Sequence, residues 1–121
     1  MDSIYQFKNS IAYALFGLKH ILKREQNFRI QLIIAIVVIG FGVYVKLSKT
    51  EWIAIIILIS AVLILEIINS SLEQVIDIIK PRLHGQVKVV KDMMAAAVLV
   101  AAVSACVVGL IIFYPYLVEI I

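Results

Sequence analysis

Hydrophobic residues dominate most of this 121-residue chain and are interrupted by polar residues at only a few places. Three stretches are apolar enough to form membrane-crossing helices, which need about 20 mostly apolar residues each. They are predicted as helices over residues 28–47, 52–79 and 93–116. In the second stretch the unbroken apolar run ends at Leu65, and the helix is expected to continue as a more polar segment. The pattern therefore predicts three transmembrane helices.

The first 24 residues follow a different pattern. Their apolar side chains recur at steps of three and four residues, while lysines occupy other positions on the helical wheel. The apolar set is Ile4, Phe7, Ile11, Ala14, Leu15, Leu18 and Leu22. This periodicity predicts an amphipathic helix lying on the membrane surface. We therefore expect an all-α integral membrane protein with a surface helix and three transmembrane helices, forming one domain over residues 1–121.

Composition and charge agree with a membrane protein. The chain is 64% hydrophobic and 16% charged, whereas a soluble domain has roughly 45–50% apolar and about 25% charged residues. Its net charge of +3 is too small to indicate a nucleic-acid partner. Nine of the 11 basic residues, Lys80 and Arg82 among them, lie before or at the very start of the first span or between the second and third. The positive-inside rule then predicts a cytoplasmic N-terminus and an outer C-terminus.

Five polar side chains share one face of the second predicted span, and we call them the polar stripe. They are Glu66, Asn69, Ser70, Glu73 and Asp77. At 100° per residue, Glu73 and Asp77 lie about 20° to either side of Glu66, and the stripe is about 16 Å long. A carboxylate at bilayer depth costs roughly 2.5–3.5 kcal/mol, so repeated carboxylates indicate a function. The structural alternative is a seam of hydrogen bonds between helices, which is the favoured interpretation for Ser70 or Ser71 taken singly.

Carboxylates near a membrane boundary need a positive partner. Mg²⁺ is one candidate, because it binds through one or two carboxylates together with substrate phosphates. Phosphates in turn need cations, and Lys88, Lys91 and the adjacent Asp92 precede the third span. The alternative is that Lys88 and Lys91 are membrane anchors and that Glu25 is a solvated charge. The chain contains neither a GxxxxGK[ST] phosphate loop nor a cluster of cysteine and histidine.

The segment from Glu66 to Asp77 closely resembles the ExxN[ST]xxExxxD signature of the prokaryotic diacylglycerol kinase family, which includes the undecaprenol kinases. Weaker supporting matches occur along nearly all of the chain. They comprise Ser10, Ala14 and Gly17 in the surface helix, residues 25–29 before the first span, and Lys88, Lys91 and Asp92 before the third. The resemblance implies a homotrimer in a bacterial inner or plasma membrane, with active sites shared between subunits near the cytoplasmic face.

The resemblance also implies a reaction and residue roles. The γ-phosphoryl group of ATP would pass to the hydroxyl of a membrane lipid, feeding phospholipid synthesis or lipid-carrier recycling. Glu66 would be the general base, and Glu25 and Glu73 would hold Mg²⁺. The predicted nucleotide-binding set is Asn69 and Lys91 at the phosphates, Asp92 at the adenosine end, and Lys88 and Asp77. The predicted lipid-binding set is Ser10, Ala14, Gly17 and Ala95.

Two questions stay open at this point. Asn27 beside Phe28, together with Ala95, resembles the undecaprenol kinase branch, whereas Met93 also occurs in the diacylglycerol branch, so undecaprenol is the favoured substrate. The alternative function is a non-enzymatic membrane subunit whose carboxylates carry protons or ions. A kinase requires Glu25 and Lys91 beside the polar stripe, whereas a proton relay requires acids deeper in the bilayer. The apolar centres of the first and third spans contain none.

Overall fold

The computed structural model of this chain describes residues 2–79 and 84–121. These residues form four α-helices, namely α1 (Asp2–Arg24), α2 (Gln26–Val45), α3 (Lys49–Ile79) and α4 (His84–Ile120). Of these, α2, α3 and α4 are long and apolar enough to cross a membrane. The prediction of an all-helical class is therefore confirmed, and the three helices that could span a membrane agree in number with the predicted spans. Lys80 and Arg82 lie outside the described residues.

The helix bounds differ from those that the apolar pattern predicts, and α3 and α4 extend beyond the predicted ranges. Helix α4 begins at His84 rather than at residue 93, and it continues to Ile120 rather than ending at 116. The added turns at its start are polar, and Lys88 pairs there with Asp92 at 2.8 Å, a spacing that supports an exposed helix. Helix α3 begins at Lys49 rather than at 52, and α2 occupies Gln26–Val45 rather than 28–47. The apolar runs predict the part of each helix that could cross the membrane. The backbone hydrogen bonds of α3 and α4 continue beyond that part.

Helix α2 ends in a Schellman motif. Lys46 adopts the left-handed conformation with φ 61°, and its N–H donates to the carbonyl of Val43 at 3.3 Å. The N–H of Leu47 donates to the carbonyl of Gly42 at 3.2 Å. These two bonds satisfy carbonyls that would otherwise lack partners at the helix end. The chain can then turn back within a few residues, so that α3 packs against α2.

Helix α3 begins at a capping box. The N–H of Ser48 donates to Glu51 Oε1 at 2.9 Å, and the N–H of Glu51 donates to Ser48 Oγ at 3.3 Å. The hydroxyl of Tyr116 also donates to Glu51 Oε1, which joins the end of α4 to the start of α3. The second and third spans are therefore connected by a hydrogen bond at the predicted outer end.

Helix α3 is the central element, because it packs against both α2 and α4, while α1 packs against α2. An apolar cavity of about 470 Å³ lies between the three spans, with Gln31 at its lining. Helix α1 is almost wholly exposed, and Ile21 is its buried residue. Its position on a membrane surface therefore stays a prediction.

Candidate functional site

Glu66 is buried at the contact between α3 and α2. This residue is only 3% exposed, and the Nε2 of Gln31 on α2 donates to its Oε2 at 3.4 Å. The Oε1 of Gln31 is also buried and has no hydrogen-bond partner among the described residues. One long hydrogen bond from a neutral amide compensates only part of the cost of burying a carboxylate. Burying Glu66 at this position therefore costs stability that its hydrogen bond does not recover. A structural role alone does not explain the residue.

Glu25 lies at the junction between α1 and α2, and the fold directs it toward α3. Its backbone is extended, with φ −104° and ψ 111°, at the N-cap position of α2. Ser70 Oγ on α3 donates to Glu25 Oε1 at 3.0 Å. The junction is also fixed by Arg29, whose Nη1 donates to the carbonyls of Leu22 and Lys23 at 2.7 and 2.9 Å. Glu25 is thereby placed beside the polar stripe.

Glu25, Glu66 and Glu73 form what we call the carboxylate cluster. The carboxylates of Glu25 and Glu73 both lie close enough to Glu66 to interact with it electrostatically. Among residues 2–79 and 84–121, the ion pairs are Lys88 with Asp92 and Lys91 with Asp77, so no described cation pairs with the cluster. Like charges gathered in this way repel one another, and a cation would relieve the repulsion.

The carboxylates of the cluster suit Mg²⁺ better than a metal ion that is coordinated entirely by protein side chains. Within the described part of the chain, no group of three or more His, Cys, Asp or Glu side chains is arranged to hold a metal ion by itself. Mg²⁺ needs less, because it keeps several waters and binds through one or two carboxylates plus phosphates. Two carboxylates from different elements, Glu25 and Glu73, meet that requirement.

The start of α4 reaches the Asp77 end of the polar stripe. Lys91 Nζ lies 3.4 Å from Asp77 Oδ1 on α3. Lys88 and Asp92 instead pair with each other, and their side chains are 82% and 64% exposed. Asn69 is half-buried on α3. Of the predicted nucleotide-binding residues, the described contacts therefore bring Lys91 and Asp77 together but leave Lys88 and Asp92 on the surface.

The four predicted lipid-binding residues are exposed. Ser10, Ala14 and Gly17 lie along α1, and Ala95 lies on α4. A side chain at Gly17 would meet open space. Within the described residues, no hydrogen bond joins Ser10 to the carboxylate cluster. The lipid-binding role of all four residues stays a prediction.

Comparison with known proteins establishes the family. The family described as prokaryotic diacylglycerol kinase matches residues 12–113. The chain belongs to this family. The undecaprenol kinase of Bacillus subtilis is 35% identical over 116 residues, covering 96% of this chain and 94% of that protein. The diacylglycerol kinase of Haemophilus influenzae is 34% identical over 103 residues, 85% of each chain. That of Synechocystis sp. is 34% identical over 108 residues, 88% of this chain and 61% of its own length.

Membership of the prokaryotic diacylglycerol kinase family makes this chain a lipid kinase and decides against a non-enzymatic subunit. The geometry agrees with the requirement that separated these two functions. Glu25 contacts the polar stripe through Ser70, and Lys91 contacts it through Asp77. The carboxylates of the stripe are thus combined with a basic residue and a further acid from other parts of the fold.

Two contacts of this lipid kinase, made by Gln31 and His20, were not predicted, whereas a bond between elements from Ser70 or Ser71 was predicted as a structural contact. Gln31 carried a weak signal, because it is the polar interruption in the apolar run of the first span. Ser70 does bond between elements, whereas the hydroxyl of Ser71 donates to the carbonyl of Ile67 in its own helix at 2.9 Å. The Nε2 of His20 on α1 lies 3.0 Å from the Nε2 of Gln74 on α3, and no sequence pattern indicated this contact.

Proposed function

We propose that this lipid kinase transfers the γ-phosphoryl group of ATP, bound with Mg²⁺, to the hydroxyl of a membrane lipid alcohol. Undecaprenol is the proposed substrate, ahead of diacylglycerol. The observation that carries the proposal is the carboxylate cluster, in which buried Glu66 adjoins Glu25 and Glu73 and has no described cation as a partner. Phosphoryl transfer depends mainly on positioning and on neutralising charge, and such a cluster with a metal serves both needs.

Glu66 is the proposed general base. It is the acid of the polar stripe nearest the apolar part of α3, so it is the one that a hydroxyl at the membrane boundary would reach first. Its carboxylate would accept the hydroxyl proton as the lipid oxygen attacks the γ-phosphorus atom, and the bond from that atom to the bridging oxygen would break to release ADP. Gln31, which donates to one oxygen of the carboxylate group, would keep its orientation fixed.

The remaining predicted residues would bind the nucleotide. Glu25 and Glu73 would hold Mg²⁺, which neutralises charge on the phosphate oxygens. Lys91 is paired with Asp77 in a partly exposed ion pair, and such pairs contribute little stability. Lys91 can therefore exchange this carboxylate for a phosphate, with Asn69 as a further phosphate contact. Lys88 and Asp92 would complete the nucleotide site at the adenosine end.

The proposed assembly is a homotrimer in a bacterial inner or plasma membrane, with the N-terminus in the cytoplasm and the C-terminus outside. Large apolar side chains cover the exposed surfaces of α2, α3 and α4 in the single chain. Lipid tails or neighbouring subunits must cover such surfaces, because water solvates them poorly. The excess of basic residues before the first span and between the second and third supports the orientation.

The substrate preference rests on two observations. Identity to the named relatives hardly separates the branches, at 35% for the undecaprenol kinase and 34% for two diacylglycerol kinases. Coverage separates them better, because the match to the undecaprenol kinase includes 96% of this chain and 94% of the relative. Asn27 and Ala95 are further points of resemblance to that branch.

The proposal is tested by purifying the chain in detergent and supplying Mg²⁺-ATP with either undecaprenol or diacylglycerol. We expect phosphorylation of undecaprenol with the higher kcat/KM, and loss of activity when EDTA removes the metal. If neither lipid is phosphorylated, the proposed reaction is wrong. Faster turnover of diacylglycerol would overturn only the substrate preference, and activity that persists in EDTA would overturn the metal requirement.

A further inference from the structure

The Glu25 carboxylate makes neither of the two contacts that its sequence position offers. A side chain at an N-cap normally accepts a hydrogen bond from the first turn of its helix, but Glu25 makes no such bond. Arg29 stands four residues later, a spacing that favours an ion pair, but its guanidinium donates to two carbonyls of α1. The carboxylate is therefore available for a contact outside its own helix.

That contact is made by a buried hydroxyl. Ser70 is only 5% exposed, and its Oγ donates to Glu25 Oε1 at 3.0 Å. On α3, Ser70 follows Glu66 by four residues and precedes Glu73 by three, so it is a surface neighbour of both. The hydroxyl thus holds Glu25 at the point of the stripe that lies between the two other carboxylates of the cluster.

We propose that Ser70 is a positioning residue that orients Glu25 so that Glu25 and Glu73 can bind one Mg²⁺. The hydroxyl donates to one carboxylate oxygen of Glu25 and leaves the other, Oε2, for the metal. This inference rests on the proposed function, which assigns Mg²⁺ to these two residues. A side chain that fixes a metal ligand in this way typically contributes about 10–100-fold in metal affinity.

The competing explanation is that Ser70 only joins helices together, as small hydroxyl residues in membrane proteins often do. In that case its loss would weaken the fold and leave metal affinity unchanged. A second contact makes the two explanations separable, because His20 on α1 also meets Gln74 on α3 at 3.0 Å. The end of α1 therefore stays attached to α3 when the Ser70 hydroxyl is removed.

The test compares Ser70→Ala with Ser71→Ala. The control removes a hydroxyl from the adjacent position of the same helix, where it donates only to the carbonyl of Ile67. Purified wild-type and variant chains are titrated with Mn²⁺ in the presence of a non-hydrolysable ATP analogue, and bound Mn²⁺ is measured by electron paramagnetic resonance. We expect Ser70→Ala to weaken Mn²⁺ binding about tenfold. Ser71→Ala should bind like the wild type, and Ser70→Thr, which keeps a hydroxyl, should restore most of the affinity.

Each result decides the question. Equal Mn²⁺ affinity in Ser70→Ala and Ser71→Ala, with or without a lower melting temperature, would overturn the positioning role while leaving the proposed function intact. A wild-type chain that binds no Mn²⁺ would overturn the metal assignment and this inference together. In a Glu25→Gln background, Ser70→Ala should cause no further loss of affinity. If Ser70→Ala does not fold, Ser70→Cys provides the same comparison with a weaker donor.

Discussion

At the scale of single residues, Glu66, the proposed general base, occupies a position that is costly for a carboxylate. Its carboxylate is buried between helices, and its described hydrogen-bond partner is the amide of Gln31. A base in such a place has lost most of the water that would otherwise compete for its lone pairs. The same desolvation that destabilises the carboxylate would suit the proposed role, in which Glu66 accepts a proton from the lipid hydroxyl.

Replacing Glu66 with glutamine should remove the proposed base and keep the size and shape of the side chain. We expect Glu66→Gln to lower kcat by about 10²–10⁴-fold, the usual contribution of a general base. The folded state should persist, because the change removes a buried charge and leaves a side chain of equal size. Turnover is measured with the preferred lipid, and size-exclusion chromatography checks assembly. Glu119→Gln, at an exposed acid near the end of α4, is the matched control. Near-normal turnover in Glu66→Gln would show that another group accepts the proton.

Helical periodicity could predict the residues of the site only where one helix carries them, whereas Glu25 and Lys91 were predicted through the resemblance to a family. Because the helical period is fixed, the order of residues alone puts Glu66, Glu73 and Asp77 on one face of α3. No comparable rule predicts from the sequence which residues of two different helices will contact each other. The bonds from Ser70 to Glu25 and from Gln31 to Glu66 depend on where α3 meets α2, which the sequence pattern does not specify.

At the scale of helices, apolar runs predicted how many spans there are but not where each helix ends. Helix α4 continues outside the predicted span at both ends, because backbone hydrogen bonding does not require apolar side chains. The start of α3 has a recognisable sequence signal, because Ser48 and Glu51 have the spacing of a capping box. The end of α2 has none, because the left-handed residue there is Lys46 rather than glycine.

The close approach of α2 to the start of α3 depends on Gly42. A Cβ at Gly42 would lie 2.8 Å from the Cδ1 of Leu47 and 2.9 Å from the Cη2 of Trp52. Overpacking costs about 1–3 kcal/mol and the helix propensity of alanine offsets about 1 kcal/mol, so Gly42→Ala should destabilise the protein by up to about 2 kcal/mol. Gly40→Ala, where a Cβ meets open space, should be neutral or stabilise by up to about 1 kcal/mol through helix propensity.

Thermal unfolding in detergent measures both glycine variants, and the fluorescence of Trp52, the single tryptophan of the chain, reports on the contact directly. Gly42→Ala should lower the melting temperature and shift the emission of Trp52, while Gly40→Ala should do neither. If the two variants behave alike, the packing of Leu47 and Trp52 on Gly42 is not what brings α2 and α3 together.

At the scale of the whole molecule, much of α4, including residues of the proposed nucleotide site, is exposed in a single chain. None of the residues in the most apolar part of α4 is buried. Lys88 and Asp92 at the start of α4 are also exposed, although they belong to the proposed nucleotide site. Both observations are explained if α4 of one subunit faces the polar stripe of a neighbour. Asp92 would then serve a site whose Glu66 and Glu73 come from another chain.

Mixing inactive subunits tests this arrangement. Glu66→Gln and Asp92→Asn subunits are each purified, unfolded together and reassembled in equal amounts. If Glu66 and Asp92 of one site come from different chains, about one quarter of the sites in randomly mixed closed oligomers will contain both intact residues, and activity should return. Glu66→Gln mixed with Glu73→Gln is the matched control and should stay inactive, because both residues lie on the same α3 helix. No recovery in the first mixture would mean that each chain completes its own site. Recovery in both mixtures would mean that Glu66 and Glu73 of one site come from different chains, which their placement on one face of the same α3 helix contradicts.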